Sequence, residues 1–303
     1  MDILEKNNPS SLVSVIIPTY KRANRINFAI NSVLQQSYAN IEVIVVDDNE
    51  PNSIWRKETE IALGNYCSDS RVIYLKHECN KNGAAARNTG IKASRGNIIC
   101  FLDDDDTYFP SKIEKQVKFL LMHKEYQAVY TGTINKAKKE VPTLTGSLID
   151  EILLLKAQMY TPTLAFRREA LLKLKGFDES FRRHQDYELL IRFFREGFQI
   201  GLIPEPLVEL GENEGENIPN AKKIESIKKE FFYQFYNEIN SSLHRKKIYS
   251  THFFVLSISF LKEFHILKGC EYLFKSFVFS PSVFFALISK KMKILYERFK
   301  EKK

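Results

Sequence analysis

The chain has 303 residues, of which 27% are charged and 44% hydrophobic, with 10 Pro and 12 Gly. This composition excludes a disordered, collagen-like or low-complexity protein, and the length fits one large domain or two ordinary ones. The net charge of +8 is unevenly distributed: residues 221–303 carry 17 Lys and Arg against 7 Asp and Glu, whereas residues 1–220 carry 28 against 30. Because the main body is slightly acidic, we expect no nucleic-acid partner.

Cysteine usage and hydropathy indicate the compartment. The four cysteines form no CxxC pair, and the sequence begins without the charged-then-apolar pattern of a secretory signal. We therefore expect reduced thiols in a cytoplasmic protein. The longest apolar runs, residues 253–261 and 277–288, are shorter than the about 18 residues that a membrane-spanning helix needs.

Short apolar runs alternate with amphipathic stretches over the first 130 residues. The patterns predict strands at residues 13–18, 41–46, 72–75, 97–102 and 128–131, and helices at residues 23–36, 83–93 and 110–123. Asn82 is a suitable N-cap for the second of these helices. The near-continuous apolar strands are typical of a parallel sheet covered on both faces, so the predicted fold class is α/β with a mostly parallel central sheet.

The pattern loosens after residue 135. It predicts helices at residues 148–156, 169–173 and 187–196, and short strands at residues 163–167, 199–203 and 207–210. The polar segment 211–220 is predicted to be a loop or linker. We therefore predict a catalytic domain over residues 1–220 and a basic, aromatic-rich helical extension over residues 221–303.

Polar residues follow three of the first four predicted strands. They are Pro18-Thr19-Tyr20, Asp47-Asp48-Asn49 and the run Asp103–Asp106. In an open α/β sheet, ligands bind beyond the carboxyl ends of the strands. A single Asp there is explained by a turn or a cap, but four adjacent carboxylates repel one another, and a divalent cation relieves that repulsion. We expect Mn²⁺ or Mg²⁺ at Asp103 and Asp105, because alternate residues of an extended segment point the same way.

Two further segments have both a structural and a functional interpretation. Residues 82–90 (NGAAARNTG) combine small residues at a predicted helix start with Arg87 one turn later, which suits an anion such as phosphate, or simply a tightly packed helix. Asp186 precedes an amphipathic helix and follows His184 closely. It is either the helix N-cap or a general base in a cleft, and spacing alone favours neither.

Taken together, six stretches resemble family 2 glycosyltransferases, which are inverting enzymes with the GT-A fold. The resemblance covers roughly residues 12–210, with the motifs in the family's order. The stretches are VSVIIPTYKR (13–22), IEVIVVDDNE (41–50), NGAAARNTGI (82–91), NIICFLDDDDTYFP (97–110), GFDESF (176–181) and HQDYELLIRF (184–193). The implied fold is a Rossmann-like sheet with flanking helices, followed here by a C-terminal helical extension.

The resemblance implies roles for individual residues. The nucleotide-binding residues would be Pro18, Thr19, Tyr20, Asp48, Asn82, Arg87 and Asp103. The motif Asp103-x-Asp105 would contact the ribose and a diphosphate-bound Mn²⁺ or Mg²⁺, and Asp186 would be the catalytic base. The family's usual signature at the base is Glu-Asp, whereas this chain has Gln185-Asp186. The implied partners are a nucleotide-sugar donor, with UDP favoured over dTDP and GDP, and a glycan or lipid-linked acceptor of bacterial surface-polysaccharide synthesis.

Two other functions compete with this interpretation. Asp103-x-Asp105-x-Thr107 also fits the nucleophile motif of haloacid-dehalogenase-type phosphatases, although that motif normally opens its domain. A nucleotide-sugar-binding module without turnover is the second alternative, and the missing Glu at position 185 favours it. A Rossmann dehydrogenase is excluded because no G-x-G-x-x-G follows the first strand.

The C-terminal region combines aromatic residues with lysines and arginines. Its helices either pack on protein, including another copy of the chain, or lie on an anionic membrane surface. The segment 290–303 is the best candidate for surface attachment because it holds six Lys and one Arg among 14 residues. We therefore predict a cytoplasmic enzyme. Its C-terminal region either only packs on protein or also attaches the enzyme peripherally to the inner face of the plasma membrane.

Overall fold

A computed structural model describes residues 11–136, 138–157, 159–211 and 219–301. It divides into two compact units: Met1–Leu148 with Gln158–Glu212, and Ile149–Ala157 with Asn213–Lys303. The domain boundary predicted at residue 220 stays a prediction. Most of the predicted loop 211–220 and the end of the predicted attachment segment 290–303 lie outside the described residues.

Four parallel strands form the first half of the sheet in the first unit. β1 (Val13–Thr19) lies between β2 (Ile41–Asp47) and β4 (Ile98–Phe101), and β3 (Val72–Lys76) pairs with the far edge of β2. β2 and β4 are buried along their whole length, as is nearly all of β1. The predicted parallel sheet is therefore confirmed for these strands.

The second half of the sheet is mixed. The described residues give a nine-stranded sheet in the order β3-β2-β1-β4-β8-β6-β9-β5, with β7 paired to β6. The bounds are β5 (Thr107–Tyr108), β6 (Ala128–Asn135), β7 (Lys138–Glu140), β8 (Leu164–Arg167) and β9 (Ile200–Glu209). β8 is antiparallel to both β4 and β6, and β9 is parallel to β6.

The two short strands predicted at 199–203 and 207–210 are one strand, β9. Pro204 and Pro206 lie between the two predicted segments, and proline cannot donate to a sheet ladder. The structure accommodates them at an irregularity in the β6–β9 register, where Tyr130 faces Leu202 and Gly132 faces Pro206. The prediction of two strands was therefore wrong.

Helices cover the sheet of the first unit. Their bounds are α1 (Ile26–Leu34), α2 (Ile54–Gly64), α3 (Gly83–Ala93), α4 (Lys112–Met122), α6 (Arg168–Lys173) and α7 (Gln185–Arg195), with a 3₁₀ turn at Thr161–Thr163. α2 is not among the predicted helices. Its buried residues are Arg56, Thr59 and Leu63, so the helix has no apolar stripe, and the side chain of Ser53 caps it by accepting from Arg56 N.

Close packing of α3 on the sheet fixes the groups that α3 carries. A Cβ atom on Gly90 would lie 2.4 Å from a side-chain carbon of Ile16 on β1, so any larger residue would push the helix outward. Asn88 on the same helix exchanges hydrogen bonds with Phe177, donating to its carbonyl oxygen and accepting from its amide nitrogen, both at 2.8 Å. α3 is therefore anchored at Asn88 and at Gly90.

The second unit is helical. It comprises α5 (Ile149–Leu153), α8 (Ala221–Gln234), α9 (Tyr236–Ser241), α10 (Arg245–Lys262), α11 (Ile266–Phe279) and α12 (Pro281–Glu301). Leu256, Phe260 and Tyr272 pack with Ala221 in its core. Among the described residues, no helix combines the length and apolarity needed to cross a bilayer. Cys67, Cys79, Cys100 and Cys270 are all free thiols.

Candidate active site

The carboxyl ends of β1, β2 and β4 meet at one edge of the sheet, as predicted. Thr19 is paired with Asp47 across β1 and β2, and Asp48 N donates to Thr19 O at 3.0 Å. On the other side of β1, Leu102 N donates to Ile16 O at 3.0 Å. The structure therefore brings the polar residues after all three strands to the same place.

The four-aspartate segment turns instead of extending. Asp106 N donates to Asp103 O at 3.1 Å, which closes a turn over the run. The stated reason for choosing Asp103 and Asp105 as metal ligands, an extended backbone, was therefore wrong. The turn still separates the side chains, because Asp104 and Asp106 are buried whereas Asp103 and Asp105 keep part of their surface exposed.

The two buried aspartates hold the loop in place. Asp104 Oδ2 accepts from Thr19 Oγ1 at 2.8 Å and from Tyr20 N at 3.4 Å, which ties the loop to the end of β1. Asp106 Oδ1 accepts from Gly211 N at 2.7 Å. Burial raises the pKa of Asp104 to about 7, and the neighbouring Asp105 and Asp103 charges add to the rise. Asp104, which had no predicted role, therefore holds the acidic loop against β1.

Two arginines neutralise the more exposed aspartates. Arg22 Nη1 lies 2.6 Å from Asp105 Oδ2 and 3.3 Å from Asp104 Oδ1, and Arg87 Nη2 lies 2.6 Å from Asp103 Oδ1. Burial raises the pKa of Asp105 despite the charge of Arg22, and Asp103 raises it further. Arg22 had no predicted role. The sequence feature that could have indicated one is a basic residue three positions after β1, a strand that ends at the predicted binding cleft.

The donor set suits a divalent cation that is completed by phosphate oxygens. No three Asp, Glu, His or Cys side chains converge into a metal-binding group within the described ranges, so these residues offer no complete cage. Mg²⁺ typically takes one or two carboxylates and completes its shell with substrate phosphates and water. Asp103 and Asp105 provide two partly exposed carboxylates whose like charge a cation would relieve. The residues present therefore fit the predicted ion.

Asp48 organises the segment that leads into α3. Its Oδ1 contacts His77 Nδ1 at 2.7 Å and Lys81 N at 2.8 Å, and its Oδ2 contacts Asn80 Nδ2 and Asn82 N, both at 2.9 Å. A carboxylate offers about four acceptor positions, so these contacts use them all. The geometry gives Asp48 a loop-holding role, and its predicted contact with the nucleotide base stays a prediction.

Asn82 caps α3, as predicted. Its Oδ1 accepts from Ala84 N at 2.8 Å and from Ala85 N at 3.3 Å, and its Nδ2 donates to Glu179 O at 3.0 Å. Two backbone amides in the first turn of α3 that could bind an anion therefore already donate to Asn82. Arg87, one turn further, is the group of α3 that faces the acidic loop.

Asp186 is the second residue of α7 and is not its N-cap, which is His184. The helix-cap interpretation of Asp186 was therefore wrong. Burial raises the pKa of Asp186 to about 6, the charge of Arg87 lowers it, and the charge of Asp103 raises it. Asp186 thus lies near the Arg87–Asp103 ion pair. Gln185, which departs from the family's usual glutamate, accepts from Arg87 Nη1 at 2.9 Å.

Tyr20 lies at the outer end of this cluster. Pro18 and Thr19 complete β1, and Tyr20 follows with 41% of its surface exposed. Tyr187 and Tyr160 also lie near Asp186. Burial raises the pKa of both tyrosines, and the charge of Asp186 raises each further. The structure therefore gathers the predicted residues from β1, α3, the acidic loop and α7 around one site.

The family model described as "Glycosyl transferase family 2" matches residues 14–181, which is more than half of the chain. The chain belongs to glycosyl transferase family 2. It is 28% identical over 249 residues to the amylovoran biosynthesis glycosyltransferase AmsB of Erwinia amylovora, covering 78% of this chain and 80% of that protein. This family 2 member is therefore a glycosyltransferase.

A second relative has a name that specifies its reaction. The UDP-Glc:alpha-D-GlcNAc-diphosphoundecaprenol beta-1,3-glucosyltransferase WfgD of Escherichia coli is 37% identical over 129 residues, covering 41% of this chain and 49% of that protein. Among solved structures, the mannosyltransferase PcManGT of Pyrobaculum calidifontis, in complex with GDP-Man and Mn²⁺, superposes with a TM-score of 0.62 at 17% identity. The superposition covers 96% of this chain and 82% of the PcManGT chain. This likeness confirms the GT-A fold.

The competing functions are not favoured. The family match contains Asp103, the residue that the phosphatase interpretation would phosphorylate. Three strands of the parallel sheet precede β4 in the chain, so Asp103 does not follow the first strand of its domain. Membership of an enzyme family also argues against the module without turnover.

Proposed function

We propose that this glycosyltransferase transfers a sugar, with inversion, from a nucleoside-diphosphate donor to an acceptor hydroxyl in bacterial surface-polysaccharide synthesis. The observation that carries the proposal is the position of Asp186 near the Arg87–Asp103 ion pair. A candidate general base thus lies close to an arginine that can bind the donor diphosphate. The name of AmsB supports polysaccharide synthesis. The name of WfgD favours UDP as the nucleotide, and the GDP-Man bound to PcManGT makes GDP the alternative.

Asp186 supplies the proton acceptor in this proposal. A sugar hydroxyl is a poor nucleophile until a positioned base removes its proton during attack. The proton passes to the Asp186 carboxylate as the acceptor oxygen bonds to the anomeric carbon. The bond to the diphosphate oxygen breaks with its electron pair, and attack from the opposite face inverts the centre. The step is a single displacement without a covalent enzyme intermediate.

In this proposal the donor binds where the carboxyl ends of β1, β2 and β4 meet. Tyr20 offers an exposed ring to the nucleotide base of the donor, and Pro18, Thr19, Asp48 and Asn82 shape the surrounding backbone. Asp103 and Asp105 would hold Mn²⁺ or Mg²⁺, which when bound neutralises charge on the diphosphate leaving group. Arg22 and Arg87 form ion pairs with these aspartates and add positive charge at the same place.

A thermal-shift screen tests the donor class. We expect UDP-sugars with Mn²⁺ to raise the midpoint of thermal unfolding more than GDP- or dTDP-sugars do, because a ligand that binds only the native state stabilises it. Free sugars serve as the control and should leave the midpoint unchanged. A screen in which no nucleotide sugar stabilises the chain would contradict the proposal.

The pH profile tests the base. Because burial raises the pKa of Asp186 to about 6, the carboxylate is ionised above that pH and protonated below it. We expect the rate of nucleotide release at saturating donor to rise with pH through about 6 and then to level off. Nucleotide binding, measured in parallel, should not follow the same curve. A flat rate between pH 5 and 8 would count against Asp186 as the base.

The acceptor is proposed to be lipid-linked. The name of WfgD specifies a diphosphoundecaprenol-linked acceptor, and such a substrate brings the enzyme to a membrane surface. The second unit exposes an aromatic ridge formed by Phe274, Phe277 and Phe285, of which the first and last are 68% and 60% exposed. The rings of Phe277 and Phe285 lie 6.0 Å apart, so the ridge continues from α11 to α12. With the surplus of lysines in this region, the ridge supports peripheral attachment to an anionic membrane.

Vesicle binding tests this attachment. We expect the chain to sediment with phosphatidylglycerol vesicles and much less with phosphatidylcholine vesicles. Replacing Phe274 and Phe285 together with Ser should reduce binding at least about tenfold, since each ring loses roughly 2 kcal/mol of apolar burial. Phe28→Ser on α1, where Phe28 is 69% exposed, is the matched control and should leave binding unchanged. Equal sedimentation of all three proteins would refute attachment through the ridge.

A further inference from the structure

The side chain of Gln185 is held at both ends. Its Nε2 donates to the carbonyl oxygen of Phe181 at 2.8 Å, and its Oε1 accepts from Arg87 Nη1 at 2.9 Å. A carbonyl oxygen requires a donor, and a guanidinium requires an acceptor. The two partners therefore fix the orientation of the amide, and a primary amide satisfies both of them.

An ionised glutamate at this position would satisfy only one of these partners. Its second oxygen would face the Phe181 carbonyl oxygen with no proton between them, which is a repulsive contact. The preceding segment is anchored, because Asn88 makes two hydrogen bonds of 2.8 Å with the backbone of Phe177. The surroundings of position 185 thus fit a neutral side chain better than the glutamate expected from the family signature.

The neutral side chain sets the charge around Arg87. Arg87 Nη2 lies 2.6 Å from Asp103 Oδ1, and the Arg87 side chain is only 11% exposed. With glutamine at 185, the guanidinium has one carboxylate partner; with glutamate it would have two, and the group would carry a net negative charge. Among the described residues, Arg87 Nε has no hydrogen-bond partner, so the guanidinium retains donor capacity.

We propose that Gln185 is a positioning residue for glycosyl transfer. It holds Arg87 in place while leaving the guanidinium a single carboxylate partner, so that its positive charge acts on the donor diphosphate. Gln185 touches neither the sugar nor the leaving group and acts through Arg87. The inference rests on the proposed function, because it requires a nucleoside-diphosphate donor.

Two substitutions of matched length separate charge from hydrogen bonding. Gln185→Glu adds a negative charge. Gln185→Met removes both hydrogen bonds of the side chain and adds no charge. In titration calorimetry with UDP and Mn²⁺, we expect about tenfold weaker binding for Gln185→Glu, from one added like charge in a partly buried site. We expect about threefold weaker binding for Gln185→Met, from loss of the bond that holds Arg87. The difference between the variants should shrink in 1 M salt, because salt screens partly exposed charges.

The pH–rate profile provides a readout that a merely structural role would not move. The groups that act on the Asp186 carboxyl are Arg87 of α3, Asp103 after β4, Tyr187 of α7 and Tyr160 before the 3₁₀ turn. A carboxylate at position 185 adds a negative charge beside Asp186, so the rising limb should move to higher pH in Gln185→Glu. The limb should stay in place in Gln185→Met. A structural role alone would lower the unfolding midpoint of both variants and leave both limbs unchanged.

The possible outcomes decide the inference. Equal UDP affinity and an unchanged limb in Gln185→Glu would overturn it and leave the proposed function standing. If that variant does not fold, wild-type UDP affinity in Gln185→Met would overturn it instead, because holding Arg87 would then have no effect on the donor. A wild-type chain that binds neither UDP nor GDP would overturn the proposed function and this inference with it.

Discussion

Asp186→Asn is expected to abolish glycosyl transfer while leaving donor binding almost intact. The amide has nearly the same shape as the carboxylate but cannot accept the acceptor's proton. A positioned general base contributes about 10²- to 10⁴-fold to the rate, so turnover should fall by at least that lower factor. Asp186 does not contact the diphosphate in our proposal, and UDP affinity should change less than about threefold. A coupled nucleotide-release assay and titration calorimetry measure the two quantities.

Glu196→Gln is the matched control for this substitution. It makes the same acid-to-amide change at the other end of α7, where Glu196 is the C-cap and its only described ion pair is with Lys173 at 2.9 Å. Surface ion pairs contribute little stability, so this variant should retain both transfer and binding. Transfer by Asp186→Asn at more than a tenth of the control's rate would remove Asp186 from the catalytic role.

Asp105→Ala is expected to weaken metal-dependent donor binding by at least about tenfold. The substitution removes one of two carboxylates that the proposal gives to Mn²⁺ or Mg²⁺, and a cation without that ligand bridges the diphosphate less well. It also removes one of the two carboxylates that Arg22 contacts, since Arg22 Nη1 lies 2.6 Å from Asp105 Oδ2 and 3.3 Å from Asp104 Oδ1. UDP binding without metal should therefore stay unchanged or become stronger. Weaker binding with metal, without any weakening in its absence, identifies a metal role.

Titrations of UDP in Mn²⁺ and in EDTA, on both the wild-type chain and Asp105→Ala, measure this pair of effects. The measurement without metal is the internal control, since a general loss of structure would weaken binding in both conditions. If Asp105→Ala keeps the full wild-type dependence on Mn²⁺, Asp105 does not hold the metal, and Asp103 would be the remaining carboxylate of the motif.

Strand positions and the residues at strand ends could be predicted because a buried parallel strand leaves a clear local signal. Apolar runs marked β1, β2 and β4, and the polar residues lie at their ends: Thr19 ends β1, Asp48 follows β2 directly, and Asp103 comes two residues after β4. The N-cap role of Asn82 was likewise predictable, because capping depends on neighbouring amides. These features depend on short stretches of chain, and the sequence therefore predicts them well.

Features that depend on distant partners could not be predicted. The turn over Asp103–Asp106 depends on Thr19 and Gly211, which bind Asp104 and Asp106 from far along the chain. α2 has a largely polar buried side, and the continuity of β9 depends on a register shift opposite Gly132 of β6 that neither predicted segment reveals by itself. The contact between Gln185 and Arg87 joins positions 98 residues apart, and no local pattern reveals it.

The stereochemistry of the first product tests the central claim most directly. UDP-α-glucose is incubated with the wild-type chain, Mn²⁺ and water as the acceptor, and proton NMR follows the anomeric signal before the sugar equilibrates. A single displacement assisted by Asp186 predicts that β-glucose appears first, and that Asp186→Asn releases almost none. If α-glucose appears first, the reaction retains configuration, and the account of Asp186 as the base of an inverting transfer is contradicted.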